Sequence, residues 1–144
     1  MTGIMRMSLA LTVAATAALA HSGVENPAVK ARMDGMAAIG AAMKEIGQMA
    51  KGASPFDPAA ARAAARTIAR EAERTPMLFE VEADDPVSEA LPAIWQEFDD
   101  FARKAESLAE VAGAAEAVST RADLKLALAE IGAACKACHA EYRQ

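Results

Sequence analysis

Apolar residues recur with heptad spacing in the first long periodic segment of the chain. Four of them lie seven residues apart and two others occupy the second heptad position: Val29, Met36, Met43 and Ala50, with Ile39 and Ile46 between them. This spacing is typical of a helix that packs into a bundle. We predict a helix from about Ala28 to Lys51, because Pro27 and Gly52 flank it in the usual arrangement of helix termini.

A second helix is predicted after the turn residues of segment 53–58. Asp57 is a good N-cap and Pro58 a good first helical residue, so the helix should begin there. We expect it to end at about Thr75, because Pro76 follows. Its inward face is built on small residues at helical spacing, namely Ala61, Ala65, Ile68 and Ala72.

Two further helices follow a longer connection that ends at Leu91. The third opens near Pro92 and has apolar residues at three- and four-residue spacings: Ile94, Phe98, Phe101, Ala105, Leu108 and Ala112. Thr120 and Asp123 resemble a capping box and start the fourth helix. One seam of that helix contains Leu124, Leu128, Ile131, Cys135, Cys138 and Tyr142.

Four helices with mostly short connections predict an all-α fold, an antiparallel four-helix bundle. The composition agrees, since only 4% of the 144 residues are aromatic and strand-forming residues are few. One domain is expected at this length. The net charge of -5 and the pI of about 5.1 argue against a nucleic-acid partner, which would usually require a basic face.

The candidate chemistry lies near the end of the fourth helix, in the run Cys135-Lys136-Ala137-Cys138-His139. Cys-x-x-Cys-His is the attachment signature of a c-type haem. In a helix the two cysteines and His139 stand at i, i+3 and i+4 and share one face. The thiols would form thioethers to the porphyrin, and His139 would ligate the iron.

Two other interpretations of this run lack their usual context. A thioredoxin-like dithiol would need a βαβ pattern, and a structural zinc site would need two more ligands. The only two cysteines are those of the motif. We therefore predict one covalent haem c, with Cys135 and Cys138 as its attachment points.

The first 20 residues are predicted to be a cleaved secretory signal peptide. Arg6 provides the positive start, residues 7–19 form an uncharged apolar run, and Ala18-Leu19-Ala20 is an A-x-A cleavage site. Residues 21–144 would then form the single mature domain. The run is short for a membrane span. We expect a periplasmic protein without stable membrane insertion, the alternative being an uncleaved anchor.

Two basic features leave alternatives open. Arg32 occupies an inward position of the first helix, where a guanidinium needs an anion or water. It could extend to solvent at the bundle end, or lie beside the haem, near its propionates or its distal face. Arg62, Arg66, Arg70 and Arg74 recur every four residues on the second helix. They form either a solvated face or a docking surface for an acidic redox partner.

Taken in order, these segments resemble the cytochrome c′ family, including its low-spin members. The resemblance rests on five stretches: Ala28-Val29-Lys30-Ala31-Arg32 with Met36, Lys51-Gly52 with Pro55-Phe56-Asp57, Pro92-Ala93-Ile94-Trp95, the Cys-x-x-Cys-His run, and Tyr142-Arg143. It implies the same haem-binding bundle fold. It also implies partner proteins that exchange electrons with it, and a homodimer through the first two helices.

The resemblance places Met36 at the distal position of the haem, and helix geometry agrees. At 1.5 Å per residue, His139 lies about 6 Å from the end of the fourth helix and Met36 about 12 Å from the start of the first. Met43 would be about 22 Å in, which is too deep. Met33 points off the seam. We treat Met33, Met43 and Met49 as core residues and predict Met36 as the second axial iron ligand.

Three functions remain at this point. A His139/Met36 pair would raise the reduction potential and close the iron, as in an electron carrier. A vacant distal face would instead give a high-spin protein that binds small gases such as NO and CO. A haem enzyme would want polar distal groups, and the mature chain has only His21 besides His139. We predict an electron carrier without enzyme activity.

Overall fold

The computed structural model describes residues 23–144, and that part of the chain is helical. Its elements are α1 (Pro27–Lys51), α2 (Pro58–Leu78), the short α3 (Ala93–Gln96), α4 (Phe98–Ala114) and α5 (Arg121–Tyr142), with a 3-10 turn at Ala115–Ala117. The predicted signal peptide and its cleavage site lie outside the described residues. No described helix combines the length and apolarity that a membrane crossing requires.

The four long helices form an antiparallel bundle, as predicted. α1 packs on α2, α2 on α4, α4 on α5, and α5 returns to α1. The largest fully buried side chains of the bundle come from α1, α2 and α5 and include Ile46, Ile68, Leu124 and Ile131. A second, aromatic cluster of Phe79, Ile94, Phe101 and Tyr142 lies where α3 meets the end of α5.

Side-chain caps start three of the long helices. The side chain of Asn26 accepts hydrogen bonds from the first amides of α1, and that of Asp57 does the same for α2. Thr120 and Asp123 form a reciprocal capping box at the start of α5. Each cap satisfies amides that lack a partner within the helix. The starts of α2 and α5 predicted from the sequence are confirmed.

Two predicted helix boundaries are wrong. α2 continues through Pro76 to Leu78, because a proline in the last turn removes only one helical hydrogen bond and the carbonyl of Pro76 still accepts from the amide of Phe79. The third helix is interrupted at Glu97, whose φ of -127° and ψ of 43° are not helical. Immediately before the break, the Trp95 indole is bound to the Phe79 carbonyl at 2.8 Å, which holds α3 against the end of α2.

Candidate functional site

One large cavity of about 560 Å³ opens between α1, α4 and α5. The end of α2 and the α2–α3 connection close its remaining side, through Thr75, Phe79 and residues 87–90. Its size lies within the range of pockets that bind small organic ligands, ~300–1,000 Å³. All five residues predicted for the haem site line this cavity: Arg32, Met36, Cys135, Cys138 and His139.

The Cys-x-x-Cys-His run lies in α5 and faces the cavity with its three reactive side chains. Cys135, Cys138 and His139 are each partly buried, whereas the intervening Lys136 and Ala137 are exposed. Burial raises the pKa of both thiols, that of Cys138 to about 11, so they are protonated at neutral pH. The i, i+3, i+4 spacing has thus placed two thiols and one imidazole on the same wall.

His139 lies beside an ion pair at the edge of the cavity. Burial, and next the charge of Arg143, lower its pKa, while Glu89 opposes this effect. Arg143 Nε donates to Glu89 at 2.6 Å. The amide of Leu91 also donates to the Tyr142 carbonyl at 3.0 Å, so the α2–α3 connection is fastened to the end of α5. A neutral imidazole, the form favoured here, is the form that ligates a metal.

Three methionines of α1 line the cavity, whereas the sequence predicted that Met36 alone would face the haem. Met36 is 37% exposed, and the partly buried Met33 and Met43 line the same cavity. Met43 packs against the main core, as expected of a core residue, and the side chains of Met33 and Met43 both also line the cavity, which follows α1 for about three turns. Met49 is a core residue, as predicted. Between these methionines, a Cβ on Gly40 would meet no atom within 4 Å, so the cavity has open space at this level.

Arg32 is buried, with 4% of its surface exposed, and does not extend to solvent. Its guanidinium donates to three backbone carbonyls, those of Leu78 at 2.9 Å, Val81 at 2.6 Å and Ala83 at 2.9 Å. Sequence reasoning expected an anion or water as its partner, and the structure provides carbonyl oxygens instead. The difference arises because the connection after α2 folds back over α1, which no local pattern indicates.

A buried acidic group at this end of the bundle was not predicted from the sequence, whereas the aromatic Tyr142 was placed on the inward seam. Asp85 is buried and accepts from the amides of Glu25 and Asn26, and these hydrogen bonds, with that from Val87, lower its pKa. Tyr142 is buried against Phe101 with its ring at right angles. Asp85 appeared in the sequence only as one of several acidic loop residues, so no signal distinguished it.

Three of the four arginines in the repeat on α2 form ion pairs within the described part of the chain. Arg66 pairs with Glu116 at 2.9 Å, and Arg70 and Arg74 both pair with the buried Glu71. Because Arg70 and Arg74 share one carboxylate, the four arginines outnumber their acidic partners. The repeat is therefore partly compensated, and both interpretations of it stay open.

The residues around the cavity fit a covalently attached haem. Two thiols three residues apart suit thioether formation, the adjacent imidazole suits iron, and thioethers from α1 are a second kind of soft ligand. Apolar residues make up much of the remaining lining, including Val29, Ile39, Ile94 and Leu108. The donor set and the volume are both appropriate for this cofactor.

Comparisons with known proteins agree with this chemistry. A family model described as cytochrome c′ matches residues 27–143. Cytochrome c-556 of Agrobacterium fabrum is 39% identical over 80% of either chain, and cytochrome c-554 of Cereibacter sphaeroides is 41% identical over 69% of either chain. A structural model of oxidized cytochrome c556 from R. palustris is 31% identical, with a TM-score of 0.74 over 82% of this chain and 96% of that one. The chain therefore belongs to the cytochrome c′ family, and its cofactor is one covalently bound haem c.

Proposed function

We propose that this chain is a periplasmic electron carrier in which His139 and Met36 are the axial ligands of the haem iron. The observation that carries the proposal is that Cys135, Cys138 and His139 on α5 and Met36 on α1 line one cavity. The bound haem supplies an iron that alternates between the ferric and ferrous states and so carries one electron. The protein needs to hold that iron with the same ligands in both states.

Each of the chain's own residues has a separate role in this proposal. The sulfur atoms of Cys135 and Cys138 would hold the macrocycle to α5, and the neutral imidazole of His139 would be one ligand of the iron. The Met36 thioether of α1 would be the other. Because α1 and α5 pack directly on each other, the two ligands belong to a rigid frame that need not rearrange with the oxidation state.

The names of the relatives support the low-spin form of this proposal. The two described above are a cytochrome c-556 and a cytochrome c-554. A cytochrome c′ of Cereibacter sphaeroides is more distant, at 32% identity. The alternative function, binding of NO or CO at a vacant distal face, would leave Met36 as an apolar cover only. Three methionines at the cavity favour a sulfur ligand over such a cover.

The absence of enzyme activity is also proposed. Of the basic groups that line the cavity, Arg32 has its donors engaged by backbone carbonyls and Lys104 pairs with Asp100 at 2.7 Å. Within residues 23–144 no second histidine exists to act as an acid or base. Electrons would instead be exchanged with partner proteins in the periplasm, where the predicted signal peptide would deliver the chain.

Substitution of the three cavity methionines one at a time tests this proposal. Met36→Ala should convert a low-spin protein into a high-spin one. The variant should bind carbon monoxide readily, because carbon monoxide no longer has to displace the Met36 thioether. Met33→Ala and Met43→Ala are matched controls from the same helix and cavity, and both should remain low-spin. The proposal would be contradicted if Met36→Ala stayed low-spin while Met33→Ala or Met43→Ala lost the low-spin spectrum. That result would assign the ligand to another methionine.

A further inference from the structure

We propose that Arg32 raises the reduction potential of the haem iron, because it is a buried positive charge whose guanidinium contacts no carboxylate of residues 23–144. This inference rests on the proposed electron-transfer function and adds a residue that sets the potential of the same site. Arg32 touches the cavity but is not proposed as an iron ligand or as a partner of the propionates. It is an electrostatic and positioning residue.

The position of the charge is fixed from several sides. Nε, Nη1 and Nη2 of Arg32 each donate to a different backbone carbonyl in segment 78–83. The guanidinium carbon also lies 4.4 Å from the centroid of the Phe79 ring and 5.4 Å from that of Trp95. Both rings attract a cation through their faces. The guanidinium therefore cannot move away from the cavity without losing its contacts to the segment that follows α2.

No described carboxylate contacts the Arg32 guanidinium. Two acidic side chains are buried besides it, Glu71 and Asp85. The carboxylate of Glu71 is engaged by Arg70 and Arg74, and that of Asp85 accepts from the backbone amides of Glu25, Asn26 and Val87. Carbonyl oxygens and ring faces stabilise the guanidinium without adding a negative charge. Arg32 therefore places a full positive charge beside the cavity with no carboxylate in contact with it.

Elementary electrostatics gives the direction of the effect. The ferric iron carries one more positive charge than the ferrous iron, so a nearby cation disfavours the ferric form. Solvent and salt screen a buried charge much less than a surface charge. A guanidinium also remains protonated across the accessible pH range. Arg32 should accordingly favour uptake of an electron from the donor and raise the potential.

Redox titration of the purified holoproteins tests the inference. Arg32→Gln and Arg32→Met remove the charge, Arg32→Lys retains it, and Arg62→Gln removes one charge from an exposed position on α2. At the midpoint potential of the wild type, both neutral variants should show a ferrous-to-ferric ratio about tenfold lower, which is ~59 mV for a one-electron couple. Arg32→Lys and Arg62→Gln should stay within about threefold of the wild type.

Hydrogen exchange separates the effect of charge from that of a displaced connection. Every variant at position 32 should exchange the amides of segment 79–91 faster, because each loses the planar three-carbonyl contact. If the potential falls equally in the lysine and neutral variants, movement of the connection is responsible and the inference is wrong. Unchanged potentials in the neutral variants would also overturn it.

The inference also stays testable if the neutral variants fail to fold or if the wild type is high-spin. Should neither neutral variant fold, a tenfold fall of the ratio in Arg32→Lys would still contradict the inference. A high-spin wild type would contradict the Met36 ligand of the proposed function. It would leave this comparison intact, because the charge acts on the iron through space whichever group is the sixth ligand.

Discussion

The hydroxyl group of Tyr142 donates a 2.8 Å hydrogen bond to Oδ2 of Asp100, joining the last residue of α5 to the first turn of α4. Burial, followed by this bond to a carboxylate, raises the pKa of Tyr142. Lys104 donates to the same oxygen at 2.7 Å. This contact holds the helix end that contains the haem motif, only three residues after His139.

Removing the hydroxyl group should loosen that helix end. Tyr142→Phe keeps the ring against Phe101 but loses the hydrogen bond to a carboxylate, so the free energy of unfolding should fall by about 1.5–3 kcal/mol. Urea unfolding of the holoprotein measures the change. Phe98→Leu alters the same aromatic cluster without touching a hydrogen bond and serves as a packing control. Equal stability of Tyr142→Phe and the wild type would show that the hydroxyl group contributes nothing to the attachment of α5.

Acid should weaken the same contact. Hydrogen bonds from Lys104 first, and then from Tyr142, lower the pKa of Asp100 to about 2 from the ordinary value of 3.8. A carboxyl group whose pKa is lowered by folding stabilises the protein above the ordinary value, and that contribution disappears as the pH falls toward 2. The midpoint of thermal unfolding should therefore differ between the wild type and Asp100→Asn near neutral pH, and the two should converge in acid.

Asp99 supplies the matched control for this pH dependence. It is the exposed neighbour of Asp100 in the same helical turn. Asp99→Asn should follow the wild-type curve from neutral pH to about pH 2. A constant difference between Asp100→Asn and the wild type over that range would mean that titration of Asp100 does not contribute to acid stability.

Covalent attachment should depend on both cysteines of the motif. Acidified acetone should fail to extract the haem from the wild type, and mass spectrometry should show one added haem per mature chain. Cys135→Ala and Cys138→Ala should each leave one thioether and a weaker attachment, whereas Lys136→Ala should not alter it. Recovery of unmodified mature chain from a host with a competent c-type maturation system would contradict the assignment.

The parts of the structure that the sequence predicted are those with local causes. Two helix starts are specified within four residues of chain, one by Asp57 with Pro58 and the other by Thr120 with Asp123. Both helices begin where these residues predict. The common face of Cys135, Cys138 and His139 follows from helix periodicity alone. Short connections between four amphipathic segments were then sufficient to predict the bundle.

The parts that escaped prediction depend on long-range contacts. The carbonyl partners of Arg32 are 46 to 51 residues away in sequence. The lining of the cavity, which includes Met33 and Met43 as well as Met36, depends on how α1, α4 and α5 come together. The interruption at Glu97 coincides with the contact between Trp95 and the end of α2, and no turn signal marks it. None of these can be read from a single segment.

The most direct test of the central claim is the optical absorption spectrum of the unmutated holoprotein in its ferric and ferrous states. With His139 and Met36 both bound to iron, the protein should be low-spin in both states and should bind carbon monoxide slowly or weakly. A high-spin ferrous spectrum with rapid carbon monoxide binding would contradict the Met36 ligand and the electron-transfer mechanism that depends on it.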